Sequence, residues 1–317
     1  MNAVEIEHVT KTFGKVTAVD DLSLSVPEGS VYGFIGPNGS GKTTTLRMIM
    51  NIFYPDQGQI RVFGDQLVGS ATDRIGYMPE ERGLYKKMKV RDVLKFYGDL
   101  KNGKDLGQEV DRWLDKLDLT AWAKEKVDTL SKGMSQKVQF ISTVISKPDL
   151  IILDEPFTGL DPVNLDVIRD CVLELQDKGA TVVFSTHDMA VAERMCDFIF
   201  MIFKGRKVLD GTLSSIQQDY GSDTVRIRIE EDGRVLKDLP GVEKVADFGR
   251  EQELRLVRGA DPQQVLAAAM SRTVITSFEL TTPSLHDIFV RIAGPEALAA
   301  NGDSVGDEEP DGKGDRS

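Results

Sequence analysis

The polar and apolar positions of the chain change period several times, and each change marks an element. In residues 4–9, Val4, Ile6 and Val9 are separated by polar residues, and in residues 22–26 Leu22, Leu24 and Val26 alternate with serines. Period two predicts half-buried strands, so residues 2–35 read as β-rich. The turn Pro27-Glu28-Gly29 leads into Val31-Tyr32-Gly33-Phe34-Ile35, an apolar run. Leu150-Ile151-Ile152-Leu153 and Thr181-Val182-Val183-Phe184 are runs of the same kind. Unbroken apolar runs of strand length predict strands covered on both faces, as in the middle of a parallel sheet.

Between these runs the period becomes helical. Val93, Leu94, Phe96 and Tyr97, then Val110, Trp113, Leu114 and Leu117, recur at helix spacing, and residues 90–145 read as helical. These aromatic and aliphatic stripes read as core. Short strands are expected at 59–64 and 74–79, helices at 163–176 and 189–195, and a hairpin over 197–209 around Lys204-Gly205. Beyond Tyr220 the character changes. Residues 224–229 and 253–257 alternate as solvated antiparallel strands, 261–271 and 284–292 are helical, and 274–280 is a strand, which together predict a small two-layer α+β domain. Domain bounds of 1–218 and 219–293 follow. Residues 301–317 hold almost nothing to bury, and 294–317 reads as a disordered acidic tail.

Charge and composition narrow the function. The net charge of −12 argues against nucleic acid as a partner, because that binding rests on neutralising phosphates with Lys and Arg. The two cysteines, Cys171 and Cys196, have no ligand-like spacing and read as packing residues in a reducing compartment. The first residues lack the basic start and apolar core of a signal peptide. No stretch is apolar for long enough to span a bilayer; the strongest, Phe198-Ile199-Phe200-Met201-Ile202-Phe203, has the length of a strand.

The chemistry is concentrated where the buried strands end. Gly36-Pro37-Asn38-Gly39-Ser40-Gly41-Lys42-Thr43-Thr44 follows the first apolar run and precedes a helix-like run. Strand, glycine loop, Gly-Lys-Thr and helix is the context of a phosphate-binding P-loop. The glycines let successive N–H groups converge, and the positive end of the following helix adds to the field on a phosphate. Lys42 offers a charge to the β- and γ-phosphates and the Thr43 hydroxyl a ligand to Mg²⁺. The run at 150–153 ends in Asp154-Glu155. At the carboxyl end of a parallel strand, Asp154 suits Mg²⁺, directly or through water. Glu155, pointing to the other side, suits orienting or deprotonating the attacking water. Phe13 reads from its surroundings as either a partly buried loop aromatic or a surface on which a base stacks.

With these residues in order, the chain resembles the ATP-binding subunit of ABC (ATP-binding cassette) transporters over residues 2–215. Six motifs carry the resemblance. Phe13 falls at the adenine-stacking position, and Gly36–Thr43 at the Walker A loop. Glu80 lies in the loop after the Tyr77-Met78-Pro79 strand end, where the family usually has Gln. Leu130-Ser131-Lys132-Gly133-Met134 matches the signature, usually Leu-Ser-Gly-Gly-Gln. Asp154-Glu155 matches Walker B, followed by the loop Gly159-Leu160-Asp161, and His187 is the switch histidine. Pro79-Glu80-Glu81-Arg82-Gly83-Leu84-Tyr85 and Leu-Ser-Lys-Gly are similar to the subgroup of sodium- and drug-exporting ATPases. Residues 283–289 resemble the end of that subgroup's small accessory domain.

The resemblance implies an α/β fold: an ABC-type P-loop NTPase core with an antiparallel β subdomain, a helical subdomain at about 81–149, and the α+β C-terminal domain. It implies ATP and Mg²⁺ as cofactors, with Thr43, Glu80 and Asp154 toward the metal and Glu155 and His187 as catalytic residues. It also implies a head-to-tail homodimer or heterodimer in which the Leu130–Met134 stretch completes the partner's site, with Asp161 at the interface. The expected partner is an integral membrane permease subunit, docked near residues 85–97, and the expected location is cytoplasmic, peripheral on the inner face of the membrane. Export is the favoured direction. Two departures stand out. Lys132 is either an added charge or a solvated side chain, and Glu80 keeps a reach toward the Mg²⁺ shell at the expense of more negative charge. The alternative is a soluble ABC-type ATPase of DNA repair or translation, a class that usually carries two cassettes or a long coiled coil.

Overall fold

Parallel pairing on both sides fixes the strand that feeds the glycine loop. In the computed structural model, which describes residues 1–66, 74–81, 83–102, 106–220, 224–230, 233–247, 251–257 and 259–294, the chain divides into two units, Met1–Gly211 and Thr212–Ile292. Arg82 and the expected tail beyond Gly294 lie outside the described residues.

The first unit holds two sheets. Strands β1 (Asn2–Phe13), β2 (Val16–Pro27) and β4 (Gln57–Val62) form an antiparallel sheet in the order β2-β1-β4. The other sheet has the order β5-β6-β7-β3-β8-β9. It uses β3 (Val31–Ile35), β5 (Ile75–Met78), β6 (Leu150–Asp154), β7 (Thr181–Thr186), β8 (Phe198–Phe203) and β9 (Arg206–Gly211). Its pairings are parallel from β5 through β8, and only β9 runs antiparallel. Every residue of β3, β6 and β7 is buried, as their unbroken apolar runs predict. Their carboxyl ends therefore open onto one edge of the sheet, where the glycine loop, Asp154-Glu155 and His187 all begin.

Phe13 does not sit in an inter-strand loop, as its sequence context suggested. It closes β1, paired with Val16 of β2 across a two-residue turn that Gly14 permits at φ +59°.

The helical stretch predicted over 90–145 is broken. It comprises α2 (Val90–Asn102), α3 (Gly107–Lys116) and α4 (Lys132–Val144), after α1 (Lys42–Ile49) in chain order. Residues 117–131 pass through two 3₁₀ turns, Thr120–Trp122 and Val127–Thr129. Trp113 of α3 meets Phe140 of α4 edge-to-face at 6.0 Å, and Val93, Leu94, Val110, Trp113, Leu114 and Leu117 are buried as expected. Phe96, also expected in the core, is exposed and Tyr97 is half-buried, both on the side of α2 that meets Tyr85. Helices α5 (Pro162–Asp177) and α6 (Met189–Met195) are capped at their N-termini by Asp161 and Asp188.

The second unit is a four-stranded antiparallel sheet in the order β11-β12-β10-β13: β10 (Thr224–Ile229), β11 (Val242–Asp247), β12 (Gln252–Leu256) and β13 (Ile275–Thr281). Alternate residues Val225, Ile227, Leu254 and Leu256 face a core shared with Val265 and Ala269 of α8 (Pro262–Met270). The division falls at Gly211, ahead of the expected bound at 218. Helix α7 (Leu213–Asp219) belongs with the second unit, where Gln217 Nε2 donates to the Pro283 carbonyl at 3.1 Å. That unit also contains α9 (Leu285–Ala293), whose Arg291 donates to the Tyr220 carbonyl at 3.2 Å. Among the described residues no helix is long and apolar enough to cross a membrane.

Candidate functional site

The glycine loop is shaped by close backbone approach. A Cβ at Gly36 would lie 2.2 Å from the Ile202 carbonyl oxygen, and one at Gly41, with φ +112°, 2.5 Å from that of Ala18. No side chain fits at either position. Lys42 is 5% exposed, and its ammonium donates to the Gly36 and Pro37 carbonyls at 2.7 and 3.1 Å. The loop thus folds around its own lysine, which stands 3.6 Å from Glu155 Oε1. Burial pulls the Lys42 pKa down, and Glu155 and Asp154 pull it back toward its ordinary value. Helix α1 starts at Lys42 behind the N-cap Gly41, with no side-chain cap, so its first N–H groups remain available to an anion.

The paired carboxylates take different environments. Asp154 is fully buried, and its Oδ1 accepts from Ser185 Oγ at 2.6 Å and from Thr43 Oγ1 at 3.1 Å. Its Oδ2 is buried without a partner among the described residues. An orphaned carboxylate oxygen beside a threonine hydroxyl is the donor set that a hard divalent cation takes, with phosphate and water completing the shell. Glu155 has φ +50°, a conformation that costs a non-glycine residue about 1–2 kcal/mol. Its N–H donates to Ser185 Oγ at 2.9 Å, and its Oε2 accepts from Thr158 Oγ1 at 3.1 Å and lies 3.1 Å from His187 Nδ1.

A cleft of about 260 Å³ is lined by Asn38, Gly39, Gly41, Lys42, Thr43 and Thr44 of the loop, by Glu80 and Glu155, and by Ala18 of β2. Glu80 therefore shares the cleft with Lys42 and Glu155. Burial, and then the charges of Asp154 and Glu155, hold its carboxyl above the usual carboxylate range.

Other residues singled out in the sequence stand apart from this cleft. Phe13 is 43% exposed at the hairpin end and meets Phe53 edge-to-face at 5.3 Å. None of the Leu130–Met134 residues lines the cleft. Ser131 is exposed and caps α4, its Oγ accepting from the Met134 N–H at 3.3 Å. The exposed Lys132 stretches across Gly159, where a Cβ would meet its ammonium at 2.3 Å. Gly133 is half-buried against Leu160 and Asn164, and Leu130 and Met134 are half-buried against the core. Asp161 is exposed and caps α5, its carboxyl held below the usual range by bonds from Asn164. The signature stretch and the loop after Glu155 thus adjoin within one chain, with their polar groups facing solvent.

Sequence reasoning missed Ser185 and Thr158. A lone hydroxyl near the end of an otherwise apolar strand, just before His187, was the available signal for Ser185.

Comparison with known proteins bears on what this arrangement is. Residues 19–158 match the ABC transporter family, and residues 211–293 match the C-terminal domain of DrrA1-3-like ATP-binding proteins. The uncharacterized ABC transporter ATP-binding protein YhaQ of Bacillus subtilis (strain 168) is 40% identical over 291 residues, covering 91% of this chain and 98% of its own. The chain belongs to the ABC transporter ATP-binding proteins. This family hydrolyses ATP to drive transport, and its members work with membrane components. The Nod factor export ATP-binding protein I of Sinorhizobium fredii (strain NBRC 101917 / NGR234) is 32% identical, covering 93% of this ABC ATP-binding chain and 87% of its own. Among solved structures, an ATP-binding subunit of an ABC transporter superposes with a TM-score of 0.65 at 29% identity, covering 69% of this chain and 93% of that one. The fold is accordingly the P-loop NTPase fold of ABC ATPases.

Proposed function

We propose that this chain binds ATP with Mg²⁺ at the Lys42 cleft, hydrolyses it with Glu155 as general base, and drives a separate integral membrane permease in export. The observation that carries the catalytic part is the placement of Glu155. Its carboxylate lies on the cleft, with Oε1 3.6 Å from Lys42 and Oε2 3.1 Å from His187.

The loop N–H groups and the start of α1 hold the phosphates, and Lys42 turns its charge from the Gly36 and Pro37 carbonyls to the β- and γ-phosphates. Thr43 and Asp154 would hold Mg²⁺, with Glu80 at the edge of its shell; when bound, the ion would neutralise charge on the β- and γ-phosphate oxygens. Glu155 accepts a proton from the attacking water, and His187 and Thr158 keep its Oε2 oriented. Phe13 stacks on the adenine from the hairpin end.

Ser131 and the exposed N-terminus of α4 cap the γ-phosphate bound to a second subunit, and Asp161 contacts that subunit. The exposure of Ser131 and Lys132 at the N-terminus of α4 supports this reading, since it leaves both within reach of a second chain. ATP then favours the closed pair by touching both subunits, and hydrolysis removes that preference. The pair is a homodimer or heterodimer, cytoplasmic, and peripheral on the inner face of the membrane through the permease. Export rests on the relative named for Nod factor export. Both named relatives are ABC transport ATP-binding proteins, which favours this reading over a soluble ATPase of DNA repair or translation.

The test is Glu155→Gln in the full chain. ATP binding is expected to persist while turnover falls by about 10²–10⁴, the usual contribution of a general base. Undiminished steady-state ATPase would reject Glu155 as the base. Co-purification of a polytopic membrane protein with the chain checks the permease partnership.

A further inference from the structure

Helix α4 carries two buried amides on one face, Gln136 at 6% and Gln139 at 3% exposure. A buried amide costs free energy unless it is hydrogen-bonded, so the partners of these two matter. Gln136 Nε2 donates to the Pro156 carbonyl at 3.1 Å, immediately after Glu155. Gln139 Nε2 donates to the Pro79 carbonyl at 2.8 Å and to the Glu81 carbonyl at 3.3 Å. Both of its amide hydrogens are thus committed to the two carbonyls that bracket Glu80. Its Oε1 has no partner among the described residues, and the side chain also borders a cavity of about 410 Å³ with Ser142 and Thr143. The bidentate grip fixes two peptide planes with Glu80 and Glu81 between them, and of these two side chains only that of Glu80 lines the cleft.

We infer that Gln139 is the positioning residue for Glu80, holding its carboxylate to the cleft by clamping the backbone on either side. Because Gln139 belongs to the helix that Ser131 caps, the Glu80 loop follows the signature helix and not only strand β5, which delivers the chain to it. The inference rests on the reading of Glu80 as a site residue, and the experiment separates the two.

Steady-state ATPase of the full chain is measured against ATP and Mg²⁺ for wild type, Glu80→Ala, Gln139→Met and the double variant. Gln139→Met keeps the side-chain volume but removes both donors. Gln139→Ala, which favours the helix, replaces it if the methionine variant does not fold. The expected result is about a tenfold fall in kcat for Gln139→Met, with KM for ATP within about twofold. The half-saturating Mg²⁺ concentration is expected to shift in the same direction as in Glu80→Ala. In the Glu80→Ala background the same substitution is expected to change kcat less than about twofold, since a positioning residue loses its effect with its object. Independently, amide exchange at residues 80–81 of the nucleotide-free, metal-free protein is expected to quicken while β6 stays protected. Equal falls in both backgrounds, or unchanged turnover and exchange in the Gln139 variants, would overturn the assignment of Gln139 alone. Wild-type turnover in Glu80→Ala would overturn the reading of Glu80 and the inference with it.

Discussion

Ser185 offers the sharpest quantitative test of how the site is built. Its hydroxyl is fully buried, donates to Asp154 Oδ1 at 2.6 Å and accepts from the Glu155 N–H at 2.9 Å. Ser185→Ala removes one bond to a carboxylate, worth about 1.5–3 kcal/mol, and leaves the Glu155 N–H buried without its acceptor, a cost of about 1–3 kcal/mol. Local relaxation recovers part of this, so the expected loss is about 3 kcal/mol. For a unit of this size that corresponds to roughly 6–12 °C in Tm. Both tryptophans of the chain, Trp113 and Trp122, lie in the first unit, so a fluorescence-detected urea or thermal transition reports that unit alone. Turnover should fall as well, because the same hydroxyl aligns both carboxylates. A stability loss below about 0.5 kcal/mol, with normal turnover, would refute the view that Ser185 holds Asp154 and Glu155 in register.

Lys42→Ala is expected to weaken ATP binding by about 10–100-fold, the worth of a charge-assisted bond to phosphate, and unchanged affinity by calorimetry would count against the P-loop assignment. Phe13→Ala is expected to lower ATP affinity by about tenfold through lost base stacking. If affinity holds, Phe13 serves only as the packing partner of Phe53. Glu80 carries a pH signature. Its carboxyl is held above the ordinary 4.5, so the folded chain binds that proton more tightly than the unfolded chain. The stability it contributes is complete below pH 4.5 and is lost as pH rises through the raised value. In nucleotide-free, metal-free protein, Glu80→Gln should therefore gain stability relative to wild type as pH rises above 4.5. A pH-independent difference in denaturation midpoint would contradict the crowding of carboxylates at this cleft.

Much of the first unit was legible because its signals are local. The loop from Gly36 to Thr44 states its own conformation, and the apolar runs that became β3, β6 and β7 state their burial on both faces. Asp154, Glu155 and His187 could be placed because each terminates such a run. What was not legible depends on partners distant in sequence. Ser185 is an ordinary serine until β6 and β7 pair and bring its hydroxyl to Asp154 across 31 residues. Gln139 looks like a polar interruption of a helix until the Pro79 and Glu81 carbonyls are seen beneath it. Helix α7 went unread because only Leu213 and Ile216 of its seven residues are apolar, and strand β11 because Val242, Val245 and Ala246 do not alternate at period two. Phe13 was assigned to a loop because Gly14 signals a turn, but a two-residue turn leaves its neighbours within the strands.

The sheet order has a consequence for how the protein is made. Strand β3 is hydrogen-bonded on one side to β7, with Val31 opposite Val182, and on the other to β8, with Tyr32 opposite Phe198. Neither neighbour of the glycine-loop strand exists until long after that strand has been synthesised. At about 5–20 residues per second, the loop waits roughly 8–30 s on the ribosome for the first of them. During that interval the antiparallel sheet of β1, β2 and β4 can already pair, since its strands are near in sequence. The nascent chain thus carries a complete phosphate-binding sequence that cannot yet hold phosphate, and nucleotide becomes a ligand only once β8 has emerged and closed the sheet around β3.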